Sequence, residues 1–329
     1  MGDLRGTTFA DVIRARPHVY RYVDPTPLHA YPALSELVGA DIHVKHENHH
    51  QVGAFKVRGG VNLAASLSPA ERKAGLVTAS TGNHGQSIAF AGKVTGTPVR
   101  IAMPERANPL KAAGIRRLGA EVVTHGRDFD EAREWMQAQA RTTGARFIGP
   151  TEPELIAGVG TYTLEIMERL PDVEVIIVPV GAGSGAASAS LVAKSINPGV
   201  EVIAVQAERA PAIQRSWQAR KPVAATMETD AEGLATRVAF QNTLNMICDP
   251  RTGLDDFILV SDEAMAEGVR LLLEHTRNVA EMAGAASLAA AIQLRDRLAG
   301  RRVVLVLSGG NITLDKLQRI LTRQSPPAR

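Results

Sequence analysis

Four short stretches of this chain place reactive or anion-binding residue types where a folded protein could use them. In Gly53-Ala54-Phe55-Lys56-Val57-Arg58-Gly59 a lysine stands among small and apolar residues. An ammonium taken out of water loses ground to the neutral amine, so its pKa falls and the amine becomes a usable nucleophile or base. An ordinary solvated lysine is the competing reading. The second stretch, Ser80-Thr81-Gly82-Asn83-His84-Gly85-Gln86, crowds polar side chains and backbone N–H groups between the runs "GLVTA" and "SIAFAGKV". Such a turn can hold a carboxylate, or Ser80 or Thr81 can simply cap a helix. The third, Gly181-Ala182-Gly183-Ser184-Gly185, follows "VIIVPV" and leads into "AASASLVAKS". Small residues let N–H groups approach an anion closely, and a helix N-terminus adds favourable partial charge, which suits a phosphate. The same spacing satisfies G-x-G-x-x-A with Glu208 further on, so a nicotinamide enzyme is a rival. The fourth, Ser308-Gly309-Gly310-Asn311, follows "RRVVLVL"; its glycines admit a flat ligand edge against the backbone, or form a plain strand-to-helix turn.

All four follow or precede Val/Ile-rich runs. Strands are expected at residues 41–45, 76–79, 99–103, 121–124, 175–180, 202–206 and 303–307. Most of them do not alternate apolar with polar, as befits strands buried on both faces. Between them lie helix patterns with start signals. Ser68-Pro69-Ala70-Glu71 and Thr151-Glu152-Pro153-Glu154 read as capping boxes, and Ser261 as a cap; Gly96 and Gly144 are placed as helix stops. Strand and helix in alternation argue a parallel α/β sheet with helices on both faces, whose ligands bind at the carboxyl ends of the strands.

The 329 residues are 45% hydrophobic, 22% charged and 4% aromatic, which excludes wholesale disorder and a fibrous repeat. A net charge of +3 is no nucleic-acid footprint. The single cysteine, Cys248, rules out an intrachain disulfide and reads as structural. "MGDLRGTTFADVIRARP" lacks the apolar core of a signal peptide, and the longest uncharged run, 175–193, is broken by Pro179 and glycines, so neither secretion nor a membrane span is expected. A cytoplasmic protein with a loose tail, "RQSPPAR", is the expectation.

Taken together the four stretches resemble the fold-type II pyridoxal-phosphate (PLP) enzymes, specifically the threonine/serine dehydratase and serine racemase group. The family's G-S-F-K-x-R-G appears as Gly53–Gly59, its S-x-G-N-H-(G/A)-Q as Ser80–Gln86, its V-P-V-G-G-G-G as Val178–Ser184 and its S-G-G-N as Ser308–Asn311. The similarity runs from about Thr26 to Ile320. It implies a tryptophan-synthase-β-like α/β fold of two lobes, each an open parallel sheet with helices on both faces. The expected division is a large PLP-binding domain, 1–70 and 149–329, with a small domain, 71–148, inserted. The resemblance also implies roles: Lys56 forms the Schiff base with PLP and serves as acid/base; Phe55 lies by the ring; Asn83 bonds the ring hydroxyl; Gly181, Ala182, Gly183, Ser184 and Gly185 cradle the phosphate; Ser308 faces the pyridine nitrogen; Glu281 lies near the ring. Ser80, Thr81, Gly82 and His84 would hold the substrate carboxylate, and Glu232 would sit behind the site. Relatives that racemise place a serine at the Thr81 position, so Thr81 is a candidate second base.

Where the chain departs from the family, expectations change. Ala54 replaces a serine before Phe55, and Ala182 and Ser184 replace phosphate-loop glycines. Gln206 and Ala212 stand where some members carry acidic cation ligands, so no metal is expected. His46, His49 and His50 read as solvated loop histidines. The function implied is a PLP-dependent ammonia-lyase removing water from a β-hydroxy amino acid such as threonine, serine, 3-hydroxyaspartate or phenylserine, with serine-type racemisation as the alternative. A homodimer or homotetramer acting on a small amino acid, with no nucleic-acid or membrane partner, completes the expectation.

Overall fold

A computed structural model of the protein describes residues 6–107 and 109–322. In chain order the strands are β1 (Leu28–Ala30), β2 (Asp41–His46), β3 (Leu76–Ala79), β4 (Val99–Met103), β5 (Glu121–Thr124), β6 (Arg146–Phe147), β7 (Val175–Pro179), β8 (Glu201–Ala207), β9 (Asp256–Val260) and β10 (Arg302–Leu307). They form two sheets, ordered β1-β2-β10-β7-β8-β9 and β5-β4-β3-β6. Every pairing is parallel except that of β1 with β2. The expected α/β class and the seven expected strands are therefore present. The other three lack the same signal: β1 and β6 have three and two residues, and β9 follows a polar stretch and is fixed by its ladder with β8.

The chain divides into two compact units. One comprises 25–54 and the chain from Tyr162 onward; the other comprises Thr7–Asp24 and Phe55–Thr161. The smaller unit is thus wider than the expected 71–148. Close helix packing is the reason. The helices Lys56–Ser66 and Pro153–Val159 meet through glycines: a Cβ on Gly158 would overlap the Arg58 carbonyl oxygen and lie 2.8 Å from Asn62 Cβ and 2.9 Å from Gly59 Cα. The helix Phe9–Tyr20 joins them where Val12 crowds Gly160, 2.9 Å from a built Cβ. Apolar faces packed this tightly go together, whatever lies between them in sequence.

In the larger unit β7, β8 and β10 are buried along almost their whole length. The alanine-rich helix Met282–Gln293 belongs to the same core, with Ala285, Ala286, Leu288 and Ala290 fully buried. Small side chains bring it close to the helix Asp262–Thr276, where Gly268 faces the Ala285 carbonyl.

Local signals hold at most helix ends. Ser68 Oγ accepts from Glu71 N at 3.2 Å while the Glu71 carboxylate accepts from Ser68 N at 2.9 Å, closing the expected box. Ser261 caps through Ala264 N, and Gly96 and Gly144 are left-handed. At the second expected box Pro153 is the first helical residue, so the cap position falls on Glu152, which makes no side-chain cap bond. The tail "RQSPPAR" lies outside the described residues, as do residues 1–5 of the amino-terminal stretch.

The packing makes one substitution act with opposite signs. Gly158→Ala should destabilise by about 1–3 kcal/mol through overpacking. Gly114→Ala, in the helix Pro109–Arg117 with only Arg117 Nη2 near, at 3.9 Å, should stabilise by up to about 1 kcal/mol. Denaturant midpoints of the two variants check this.

Candidate active site

The smaller unit carries the lysine and the polar turn. Lys56 opens the helix Lys56–Ser66, and its Nζ lies 5.0 Å from the centroid of the Phe55 ring, within cation–π reach. The Lys56 carbonyl accepts from Ser87 Oγ at 2.6 Å, which ties this first turn to the helix Asn83–Thr95. A Cβ on Gly60 would overlap the same serine, so the close approach requires glycine. The Arg58 guanidinium, in the next part of this turn, is fully buried and bonds Thr161 Oγ1 at 3.1 Å.

The helix Asn83–Thr95 begins at Gly82 without a cap from that residue. Ser80 does the capping from further out: its Oγ accepts from Gly82 N at 3.2 Å and from Gly85 N at 2.9 Å. The half-buried Thr81 hydroxyl has no hydrogen-bond partner among the described residues, so of the two candidate caps only Ser80 serves. His84 Nε2 is 3.1 Å from Thr78 Oγ1 and 3.4 Å from the Ile148 carbonyl oxygen. Burial first, then the nearby Lys56 charge, pushes the His84 pKa down to about 4. The imidazole is neutral at pH 7.

The larger unit carries the glycine loop and the turn after β10. The loop follows β7, and Gly183, at φ +96°, is the N-cap of the helix Ser184–Ile196, which has no side-chain cap. A Cβ on Gly181 would overlap the Gly233 carbonyl oxygen. The loop is shaped from outside by Thr243 Oγ1, which donates to the Ala182 carbonyl at 2.9 Å, and by the Tyr162 hydroxyl, which donates to the Gly185 carbonyl at 2.9 Å. Both carbonyls are thereby engaged with donors of the protein. Ser184 is buried.

Ser308 follows β10; its hydroxyl, on a residue 6% exposed, has no partner among the described residues. Gly309 is hemmed in: a Cβ there would overlap Glu281 Oε1 and touch Ala54 Cβ at 3.3 Å. Glu281 N donates to the Gly309 carbonyl at 3.1 Å, and Gly310 N donates to the Gly53 carbonyl at 2.9 Å. Asn311 Nδ2 donates to the Val52 carbonyl at 2.7 Å, close beside Gly53, whose φ is +66°. The segment that ends in Ala54 is thus stitched to the Ser308–Asn311 turn.

Several other expectations are altered. His46 and His50 are buried rather than solvated; only His49 of the three is exposed. His46 Nε2 is 2.9 Å from the Tyr31 hydroxyl, and burial, followed by the His49 charge, lowers its pKa to about 4. His50 faces Glu47 at 3.2 Å in a buried network with Thr26, Lys45 and Glu165. Glu232 is exposed and pairs with Lys316 at 3.5 Å. Gln206 is buried and its Oε1 accepts from Ile213 N and Gln214 N at 3.1 and 3.2 Å, capping the helix Ala212–Ala219 where a cation ligand would otherwise stand. No group of three or more His, Cys, Asp or Glu that could hold a metal occurs among the described residues. No helix among them is long and apolar enough to cross a membrane. The sequence offered no signal for Thr78, Gly233 or Thr243, because each acts on a site residue distant in the chain.

In the larger unit the Gly181–Gly185 loop opens onto a helix that no side chain caps, and the Ser308 hydroxyl has no partner among the described residues; in the smaller unit Lys56 stands beside the Phe55 ring. The chain belongs to the family described as pyridoxal-phosphate dependent enzymes, whose model matches residues 19–309. It is 40% identical over 320 residues to the L-threonine ammonia-lyase of Thermotoga maritima, covering 96% of this chain and 78% of that protein. It is 33% identical over 318 residues to the L-threo-3-hydroxyaspartate ammonia-lyase of Saccharomyces cerevisiae, covering 96% of each. Among solved structures maize serine racemase superposes with a TM-score of 0.89 at 28% identity, over 96% of this chain and 97% of that one. The expected fold-type II architecture and its cofactor class are therefore this chain's own, and the nicotinamide rival falls. The residues present fit PLP: the loop amides open onto a helix with no side-chain cap, Gly181 leaves no room for a larger residue, and Ser308 retains a free hydroxyl.

Two imidazoles held neutral impose a pH dependence. Each has a folded pKa of about 4 against about 6.5 unfolded, so the unfolded chain binds protons that the folded one refuses. Stability should be full above about pH 6.5 and should fall between there and about pH 4. The lowered pKa values of Asp11 and Asp41 act lower, below the ordinary carboxylate value of 3.8. Urea midpoints at pH 7 and 4.5 test this, and equal midpoints would contradict two neutral buried rings.

Proposed function

We propose that this protein is a PLP-dependent ammonia-lyase that removes water from a β-hydroxy amino acid of the threonine or serine kind, giving a 2-oxo acid and ammonia. The observation that carries the reading lies in the smaller unit: the Lys56 carbonyl accepts from Ser87 Oγ at 2.6 Å, which holds the first turn of the lysine helix against the first turns of the helix that the Ser80–Gln86 turn opens. An amine that can take the α-proton and a turn of amides that can take the α-carboxylate are thus adjacent. The relatives named as ammonia-lyases on threonine and hydroxyaspartate support the same reaction.

PLP, when bound, supplies the electron withdrawal that makes the α-proton acidic. Lys56 would carry it, with Phe55 beside its ring, Asn83 towards the ring hydroxyl, Gly181–Gly185 around its phosphate, Ser308 towards its pyridine nitrogen and Glu281 near the ring. The backbone N–H groups around Thr81, Gly82 and His84 orient the substrate by its carboxylate, and Ser80 keeps that turn in shape. Lys56 removes the α-proton. The Cα–H and Cβ–O bonds break, Cα=Cβ forms, and the hydroxyl leaves with a proton as water. The released enamine then takes up water and loses ammonia. Ser308 would meet the ring nitrogen with a neutral hydroxyl rather than a carboxylate, and the cofactor held so would be a milder electron sink, suited to loss of a β-group.

Two measurements test this. Borohydride treatment of the holoenzyme should add pyridoxyl mass to the peptide bearing Lys56, and mass on another lysine would refute the assignment. A panel of β-hydroxy amino acids scored for oxo acid identifies the substrate; release from none of them would refute the lyase. A cytoplasmic dimer or tetramer completes the proposal. The lone cysteine supports the compartment, and light scattering tests the assembly.

Racemisation is the second reading, favoured by the unpartnered Thr81 hydroxyl. Racemisation needs an acid/base group on each face of the α-carbon, and Thr81 would supply the face opposite Lys56. Its β-branch restricts χ1, so the activity should be weak. Thr81→Ala should abolish racemisation of L-serine while leaving its elimination within about tenfold, roughly 1.4 kcal/mol. Parallel loss of both rates would instead make Thr81 a carboxylate holder.

A further inference from the structure

The surroundings of His84 dictate which of its nitrogens carries a proton. Thr78 Oγ1 has one proton, and it is directed at the Ile148 carbonyl oxygen, 2.7 Å away. That leaves Thr78 Oγ1 with only lone pairs to offer His84 Nε2 at 3.1 Å. The Ile148 carbonyl oxygen, 3.4 Å from the same nitrogen, can only accept. Both atoms facing Nε2 are therefore acceptors, and Nε2 must be the N–H. A neutral ring has one proton, so Nδ1 presents a bare lone pair. The ring's resistance to a second proton agrees with this.

A bare lone pair repels a carboxylate and attracts an O–H. A β-hydroxy amino acid brings three polar groups. Its carboxylate accepts from the backbone amides of the turn, and its nitrogen is committed to the cofactor. The β-hydroxyl is the donor that remains. Resting on the ammonia-lyase reading, we propose that His84 Nδ1 accepts the hydrogen bond of the substrate's β-hydroxyl and so selects β-hydroxy amino acids. The chain of bonds runs one way, from substrate hydroxyl to Nδ1, from Nε2–H to Thr78 Oγ1, and from Thr78 to the Ile148 carbonyl at the end of β6. His84 on this account orients the Cβ–O bond and does not protonate it.

The tautomer is read directly by ¹⁵N NMR of histidine-labelled apoprotein at pH 7. A protonated Nε2 and an unprotonated Nδ1 are expected, and the reverse, or a doubly protonated ring, would overturn the proposal. The contact is read by comparing kcat/KM for L-serine and β-chloro-L-alanine, which share every group except the β-hydroxyl. Lys56 meets both substrates alike, so it drops out of the ratio. In His84→Gln the amide can take the place of Nε2, but the Nδ1 acceptor is gone; the serine-to-chloroalanine ratio should fall about tenfold. In His84→Asn the amide oxygen stands as many bonds from Cα as Nδ1 does, and the ratio should recover to within about threefold of the wild type. Visible absorbance confirms that each variant holds PLP. A ratio unmoved in His84→Gln overturns the inference while the lyase stands, whereas a wild type that releases no oxo acid from any β-hydroxy amino acid takes the functional reading down and this inference with it.

Discussion

An anion held by backbone amides alone must come close to the chain, and every side chain that would stand in the way has to be absent. The loop proposed to hold the cofactor phosphate is built as that constraint requires. Gly181 lies against the Gly233 carbonyl, with no space for a Cβ, and the loop it opens leads into a helix that no side chain caps. The carbonyls of Ala182 and Gly185, which would repel a phosphate, are tied to Thr243 and Tyr162. The turn after β10 obeys the same rule, with Gly309 confined by Glu281 and Ala54. Parallel strands make these turns possible, since each ends at a point from which a helix can start with its N–H groups outward.

The two units divide the chemistry. The larger holds the Gly181–Gly185 loop, the proposed seat of the phosphate, and the Ser308 hydroxyl, at the ends of β7 and β10, which are buried along almost their whole length. The smaller holds the lysine and the amide turn, and glycine contacts set them close: Gly60 lets the first turn of the Lys56 helix reach Ser87, and Gly59 and Gly158 let the neighbouring helices cross. The surroundings of titratable groups in both units settle protonation. His46 and His84 are kept neutral by burial, while Lys45 meets Glu165. Lone buried charges would be far costlier than such pairs.

Amino-acid order alone determined the class of the fold, the seven longer strands, most helix ends and the four turns that carry chemistry. These are local properties: β-branched runs, capping residues, and glycines where a chain must bend or let an anion near. Tertiary structure decided what depends on residues far apart. It moved the boundary of the smaller unit out to Thr7 and Thr161, because helices distant in sequence interlock through their glycines. It buried His46 and His50, which looked like solvated loop residues: His46 ends β2 beside β10, and His50 faces the buried Glu47. It turned Gln206 into a helix cap. Above all it set the state of His84, whose role as an acceptor rests on Thr78 and Ile148; Ile148 is 64 residues away in the chain, and only the folding of β3 beside β6 brings its carbonyl to the ring.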